Sequence, residues 1–128
     1  MSLNKIQKEL KEAIEGLIDA ACNYRLDEFE TLYDPELMIV MLQPDGITLN
    51  FDYQKNMEFF RNLRDSGAPP IDKTAEYNYI DGRDQSGYVI VTRQMDLGYG
   101  PKKIIFNLML DKSSGSWKLY REHAVVVY

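Results

Sequence analysis

Apolar residues at the start of the chain recur every three to four positions. Leu3, Ile6, Leu10, Ala13, Ile14, Leu17, Ala21 and Tyr24 fall on one side, with Glu9, Lys11, Glu12, Glu15 and Asp19 mainly on the other, as in an amphipathic helix. Asn4 and Gln7 have the spacing of a cap and its reciprocal partner. Gly16 interrupts this helix at a cost of about 1 kcal/mol, which a close packing contact would explain. Asp27-x-x-Glu30 predicts a second, short helix with Asp27 as its cap. Phe29, Leu32 and Tyr33 form its buried side, and Asp34-Pro35 stops it. Leu37–Gln43 is apolar enough for burial on both faces and predicts a central strand. Pro44-Asp45-Gly46 makes the turn to a short return strand over Ile47–Phe51. Asp52 caps a third helix, Tyr53–Asp65, which buries Met57, Phe60, Leu63 and either Phe59 or Asn56.

From there the pattern changes to alternation, the signature of strands. Thr74–Ile80 sets Ala75, Tyr77 and Tyr79 against Thr74, Glu76 and Asn78, and the polar loop Asp81–Gly87 follows. Tyr88–Leu97 sets Val89, Val91, Arg93, Met95 and Leu97 against Ile90, Thr92, Gln94 and Asp96. After the turn Gly98-Tyr99-Gly100-Pro101 comes a closing hairpin, Lys103–Lys112 and Trp117–Tyr128, turning at Ser113-Ser114-Gly115-Ser116. The order helix, helix, hairpin, helix and four antiparallel strands predicts an α+β domain with a curved sheet wrapped over helices.

The closing hairpin carries a conflict. Strict alternation places Trp117, Leu119, Arg121, His123, Val125 and Val127 on one face, so the apolar, core-facing side of the last strand includes an arginine and the only histidine.

Composition narrows the function classes. A chain of 128 residues, 45% hydrophobic and 27% charged, supports one core. A net charge of −5 disfavours nucleic acid or an anionic membrane surface as the main partner, and no apolar run is long enough to span a bilayer. One Cys and one His exclude an internal disulfide, disfavour a structural zinc site, and fit a reducing, cytoplasmic setting. Cys22 reads as an inert core thiol.

Three stretches resemble the nuclear transport factor 2-like superfamily, and within it the SnoaL-like branch. Asp27–Asp34 (DEFETLYD) resembles its short second helix leading into the first strand. Leu42–Phe60 resembles its hairpin-to-helix passage. Ile105–Ala124 (IFNLMLDKSSGSWKLYREHA) is similar to its final hairpin, where a Trp opens the last strand and a His follows six residues on. Two departures stand out: Leu49-Asn50-Phe51 where a glycine is usual, and Ala124-Val125 where a Ser is usual. The resemblance implies a single SnoaL-like domain over residues 1–128. Three helices would pack in the concave face of a strongly curved, mixed, mostly antiparallel sheet, making a cone with an open pocket. Relatives range from isomerases, dehydratases, epoxide hydrolases and polyketide cyclases to transport adaptors and kinase association domains, so the site must identify the function.

Hairpin register centred on Ser114-Gly115 and on Tyr99-Gly100 pairs Leu110 with Leu119, Leu108 with Arg121, Phe106 with His123, Met95 with Ile104 and Arg93 with Phe106. The resulting row Arg93–Phe106–His123, with Arg121 diagonal to it, spans about 10 Å at the backbone, a gap that one carboxylate bridges. The leading expectation is therefore a cofactor-free pocket for a small carboxylate, held by Arg93, Arg121 and His123 and lined by Phe106, Tyr77 and Tyr33. Tyr79 and Tyr24 are further candidates for the lining. One alternative is an isomerase, lyase or cyclase using His123 as acid or base and a Tyr as oxyanion donor. Among inner-face carboxylates only Asp81 has the right parity, which disfavours the chemistries that need an internal aspartate. The other alternative is an assembly or adaptor domain. The outward set Ile90, Thr92, Ile105, Met109, Tyr120, Ala124 and Val126 is mixed apolar and predicts a homodimer through the outer sheet face.

Overall fold

Local signals and tertiary burial agree over most of the chain. The computed structural model describes residues 2–96 and 98–128. Its elements are α1 (Lys5–Cys22), α2 (Leu26–Leu32), β1 (Tyr33–Leu42), β2 (Thr48–Asp52), α3 (Tyr53–Asp65), β3 (Glu76–Arg83), β4 (Ser86–Asp96), β5 (Pro101–Asp111) and β6 (Lys118–Val126). The strands form one open, mixed sheet in the order β2-β1-β6-β5-β4-β3. Among the described residues only the β1–β6 pair is parallel. The three helices lie on the sheet's concave face, α1 against β3 and α2, and α3 against β1 and β2. Among the described residues no helix is long and apolar enough to cross a membrane.

The capping box at Asn4 and Gln7 is present in both directions, and Asp52 caps α3 through the Lys55 N–H at 2.8 Å. The short helix α2 differs from expectation. It starts at Leu26, with Arg25 in the cap position and no side-chain cap bond. Leu26 is buried, and that burial draws the cap and the helix start two residues earlier. Asp27 falls instead in the first turn, where a negative charge suits the helix dipole. Gly16 meets nothing, whereas Gly82 and Gly87 do the close packing. These two glycines pair across the β3–β4 hairpin, and Leu10 of α1 sits over both. A Cβ on Gly82 would lie 2.7 Å from Ile6 Cγ2 and 2.9 Å from Leu10 Cδ1. This seat explains why the expected polar loop Asp81–Gly87 is mostly strand, turning at Asp84 in the left-handed region.

Register departs from expectation in two places. Between β4 and β5, Arg93 pairs with Ile104 and Met95 with Lys102, a slip of two that keeps every face. The side chain of Asp96 accepts from the N–H groups of Gly98 (2.8 Å) and Gly100 (3.1 Å), and this sets a longer turn. Leu97, expected on the inner face, lies outside the described residues. Between β5 and β6 the change reverses faces. Leu110 pairs with Leu119 as expected, but Met109 pairs with Arg121, leaving Tyr120 as an inserted residue, a β-bulge. Beyond it Glu122, Ala124 and Val126 are buried, and Arg121 and His123 are exposed. The expected inward placement of Arg121 and His123, and the outward placement of Ala124 and Val126, are corrected accordingly. Phe106 pairs with Ala124 and Leu108 with Glu122. Burying one carboxyl group and two apolar side chains costs less than burying a guanidinium and an imidazole.

Candidate functional site

The concave face of the sheet and the helices enclose a cavity of about 450 Å³, within the range of small-molecule sites. Its walls are mostly aliphatic and aromatic. Ile14, Leu17 and Ile18 come from α1, Phe59 and Phe60 from α3, and Val91, Ile104 and Phe106 from the sheet. Tyr99, 82% exposed, and Leu49 mark the mouth, with Lys102 beside them. At the other end Tyr33, Asn56 and Glu122 line the cavity, near Phe29, whose ring stands 4.8 Å from Tyr33 and 4.7 Å from Phe60.

Two charged side chains are buried among the described residues, Arg93 (9% exposed) and Glu122 (8%), and both line the cavity. Arg93 points inward because β4 alternates strictly, with Val89, Val91 and Met95 on the same face. Its Nη2 donates to the Asp72 carbonyl at 2.5 Å and to Cys22 Sγ at 3.2 Å. Its Nε is sealed from solvent without a partner, as is Asn56 Nδ2. No carboxylate lies within ion-pair distance of Arg93 among the described residues. Glu122 sits at the Leu108 level and Arg93 at the Ile104 level, four residues or about 13 Å apart along β5. Burial pushes the Glu122 carboxyl up from 4.5 to about 7, with the distant Arg93 charge opposing the rise. Burial also holds the Tyr33 hydroxyl well above its ordinary value. Glu122 adds to that rise, while Asn56 and Arg93 work against it.

The expected site residues therefore separate. Arg93, Phe106 and Tyr33 line the cavity. Tyr77 faces inward but lies outside the cavity, its ring under Lys11 Nζ at 5.3 Å. Burial raises its pKa to about 12. Tyr79 is exposed, and Tyr24 donates to the Pro69 carbonyl at 2.8 Å. Arg121 and His123 stand on the outer face, Arg121 Nη2 reaching Met38 Sδ at 3.8 Å. Asp81 is at the far hairpin, where its carboxylate accepts from the Gly82 N–H. Sequence reasoning missed Glu122 and passed over Asn56. The signal for Glu122 was the conflict in β6 itself. Two basic side chains on an apolar face are relieved by a one-residue bulge, and the bulge brings the intervening glutamate inside.

No protein-family model and no curated protein matches the chain. Solved structures do. An NTF2-like protein of unknown function from Shewanella baltica aligns with a TM-score of 0.76 over 99% of both chains, at 12% identity. An NTF2-like protein from Cytophaga hutchinsonii aligns at 0.76 over 98% of this chain and 100% of its own, at 14% identity. The chain has the NTF2-like fold. A ketosteroid isomerase-like protein from Erwinia carotovora atroseptica is similar too, with a TM-score of 0.68 at 12% identity over 98% of this chain and 99% of its own. Identities this low carry the fold alone. Within the NTF2-like fold, the pocket is the feature that the site geometry develops.

Glu122 gives a prediction with a definite sign. Its folded-state pKa lies above its unfolded value, so the cost of its burial is absent below 4.5, grows with pH, and is complete above about 7. At about 1.4 kcal/mol per pH unit that displacement amounts to roughly 3 kcal/mol. Urea unfolding from pH 4.5 to 8 should show wild type losing stability relative to Glu122→Gln by that order as pH rises. Parallel pH profiles for the two proteins would contradict a buried Glu122.

Proposed function

We propose that the protein binds a small molecule with an apolar body and a carboxylate, and that Arg93 anchors the carboxylate. One observation carries this reading: a buried guanidinium, with no carboxylate within ion-pair distance among the described residues, lines a mostly apolar cavity. Such a charge is costly unless paired, and a planar guanidinium with free N–H groups suits a carboxylate. Phe106 and the α1 aliphatic side chains supply the apolar contact. Tyr33 and Asn56 offer polar groups at the closed end. Arg121, on the outer face, has no part in this site. Ligand near 100 times its Kd should raise stability by about 2.7 kcal/mol, read as a thermal shift across a panel of apolar monocarboxylates. Arg93→Met should stay folded and weaken binding roughly 30-fold or more. A full shift retained in Arg93→Met would refute the anchor.

A second reading, catalysis, is favoured by Glu122. A carboxyl group that titrates near neutrality inside an apolar cavity is suited to acid or base work on a bound substrate. His123, on the outer face, is not placed to share it. On this reading turnover depends on a group near pH 7, is lost in Glu122→Gln, and persists in His123→Ala. The reverse pattern between these two variants would reject it.

We further infer a homodimer through the outer sheet face. Met38, 52% exposed, joins Val40, Val125, Ile105, Met109 and Ile90 there, a mixed apolar surface that a second copy would cover. Sedimentation should give a dimer for wild type and a monomer for Ile105→Glu. A wild-type monomer at micromolar concentration would exclude it.

A further inference from the structure

Arg93 and Glu122 are the two buried charged groups in the cavity lining among the described residues, and no ion pair joins them. The other groups lining the cavity are neutral or sit at the mouth, while the exposed Asp72 carboxylate, outside the lining, acts on Arg93 from the segment before β3. From α1 the polar group is Cys22, from α3 Asn56, from β1 Tyr33, from the turn after β1 Gln43, and from β5 Lys102 at the entrance. The Tyr33 hydroxyl stays protonated at physiological pH. Glu122 is thus the group whose ionisation changes the charge of the cavity interior.

A carboxylate arriving at Arg93 changes that balance. With Glu122 ionised, the interior would hold two anions against one guanidinium, in surroundings that screen charge poorly. Protonating Glu122 restores one anion to one cation. Resting on the reading of Arg93 as anchor, we propose that binding of a monocarboxylate is coupled to uptake of one solvent proton by the Glu122 carboxylate. The pocket then takes anion and proton together, and releases both as pH rises. The protonated Glu122 O–H becomes a donor at the closed end, so the fitting ligand is an elongated monocarboxylate whose far end is apolar or carries a neutral acceptor. A dicarboxylate would set its second anion against Glu122 and is rejected.

Isothermal titration calorimetry with octanoate, 4-phenylbutanoate and octanedioate tests this, using wild type and Glu122→Gln from pH 5.5 to 9 in two buffers of different ionisation enthalpy. For the two monocarboxylates, wild-type Kd should be flat below about pH 6 and rise about tenfold per pH unit above 7. Proton uptake should be near zero below about pH 6 and approach one per ligand above about pH 8, and octanedioate should bind at least about tenfold more weakly. Glu122→Gln should bind with no pH dependence. Binding by wild type that is independent of pH and takes up no proton overturns the coupling while the Arg93 anchor stands. Absence of binding by all three acids in both proteins, down to pH 5.5, overturns the anchor and the coupling with it. The proton count in wild type alone decides the coupling if the variant fails to fold.

Discussion

Between Leu119, opposite Leu110, and Arg121, opposite Met109, β6 carries Tyr120 without a partner on β5. Because side chains alternate with a period of two, one inserted residue sends everything after it to the other face. Glu122, Ala124 and Val126 enter the cavity side, while Arg121 and His123 leave it. The chemistry of the pocket follows from that insertion. It replaces an expected row of two arginines and a histidine with a single guanidinium and a single carboxyl group at different depths, separated by apolar surface.

The fold supports this arrangement from both ends. The Gly82–Gly87 seat brings Leu10 of α1 hard against the β3–β4 hairpin and fixes that helix on the sheet. The turn organised by Asp96 holds β4 and β5 at the register that sets Arg93 against Ile104. The carbonyl of Asp72 fixes one guanidinium nitrogen and leaves Nε without a partner. The guanidinium is thus held at the cavity wall with no carboxylate within ion-pair distance among the described residues.

Much of this was legible in the chain. The α1 periodicity, the Asn4–Gln7 box, the Asp52 cap of α3 and the inward set of β4 all rest on local patterns, and local patterns survive tertiary packing. So did the inward position of Arg93, since β4 alternates without interruption. The bulge was not legible by alternation alone, because a bulge is selected by the whole sheet. Two strands pair with β6, and the cheaper set of side chains to bury wins. The same applies to α2, where burial of Leu26 overrode the capping spacing at Asp27, and to Tyr77, whose inward face meets α1 rather than the cavity. The NTF2-like architecture, resembled in three stretches of sequence, is matched by solved structures at identities too low to transfer a function.

The account depends most on Glu122 being inside, facing the same cavity as Arg93. The direct measurement is the Glu122 side-chain carboxyl carbon shift followed by NMR across pH, in wild type and in Arg93→Met. The account predicts a midpoint near 7 in wild type and a higher one in the variant, since Arg93 holds the value down. A midpoint in the ordinary glutamate range near 4.3, unmoved by loss of Arg93, would contradict it.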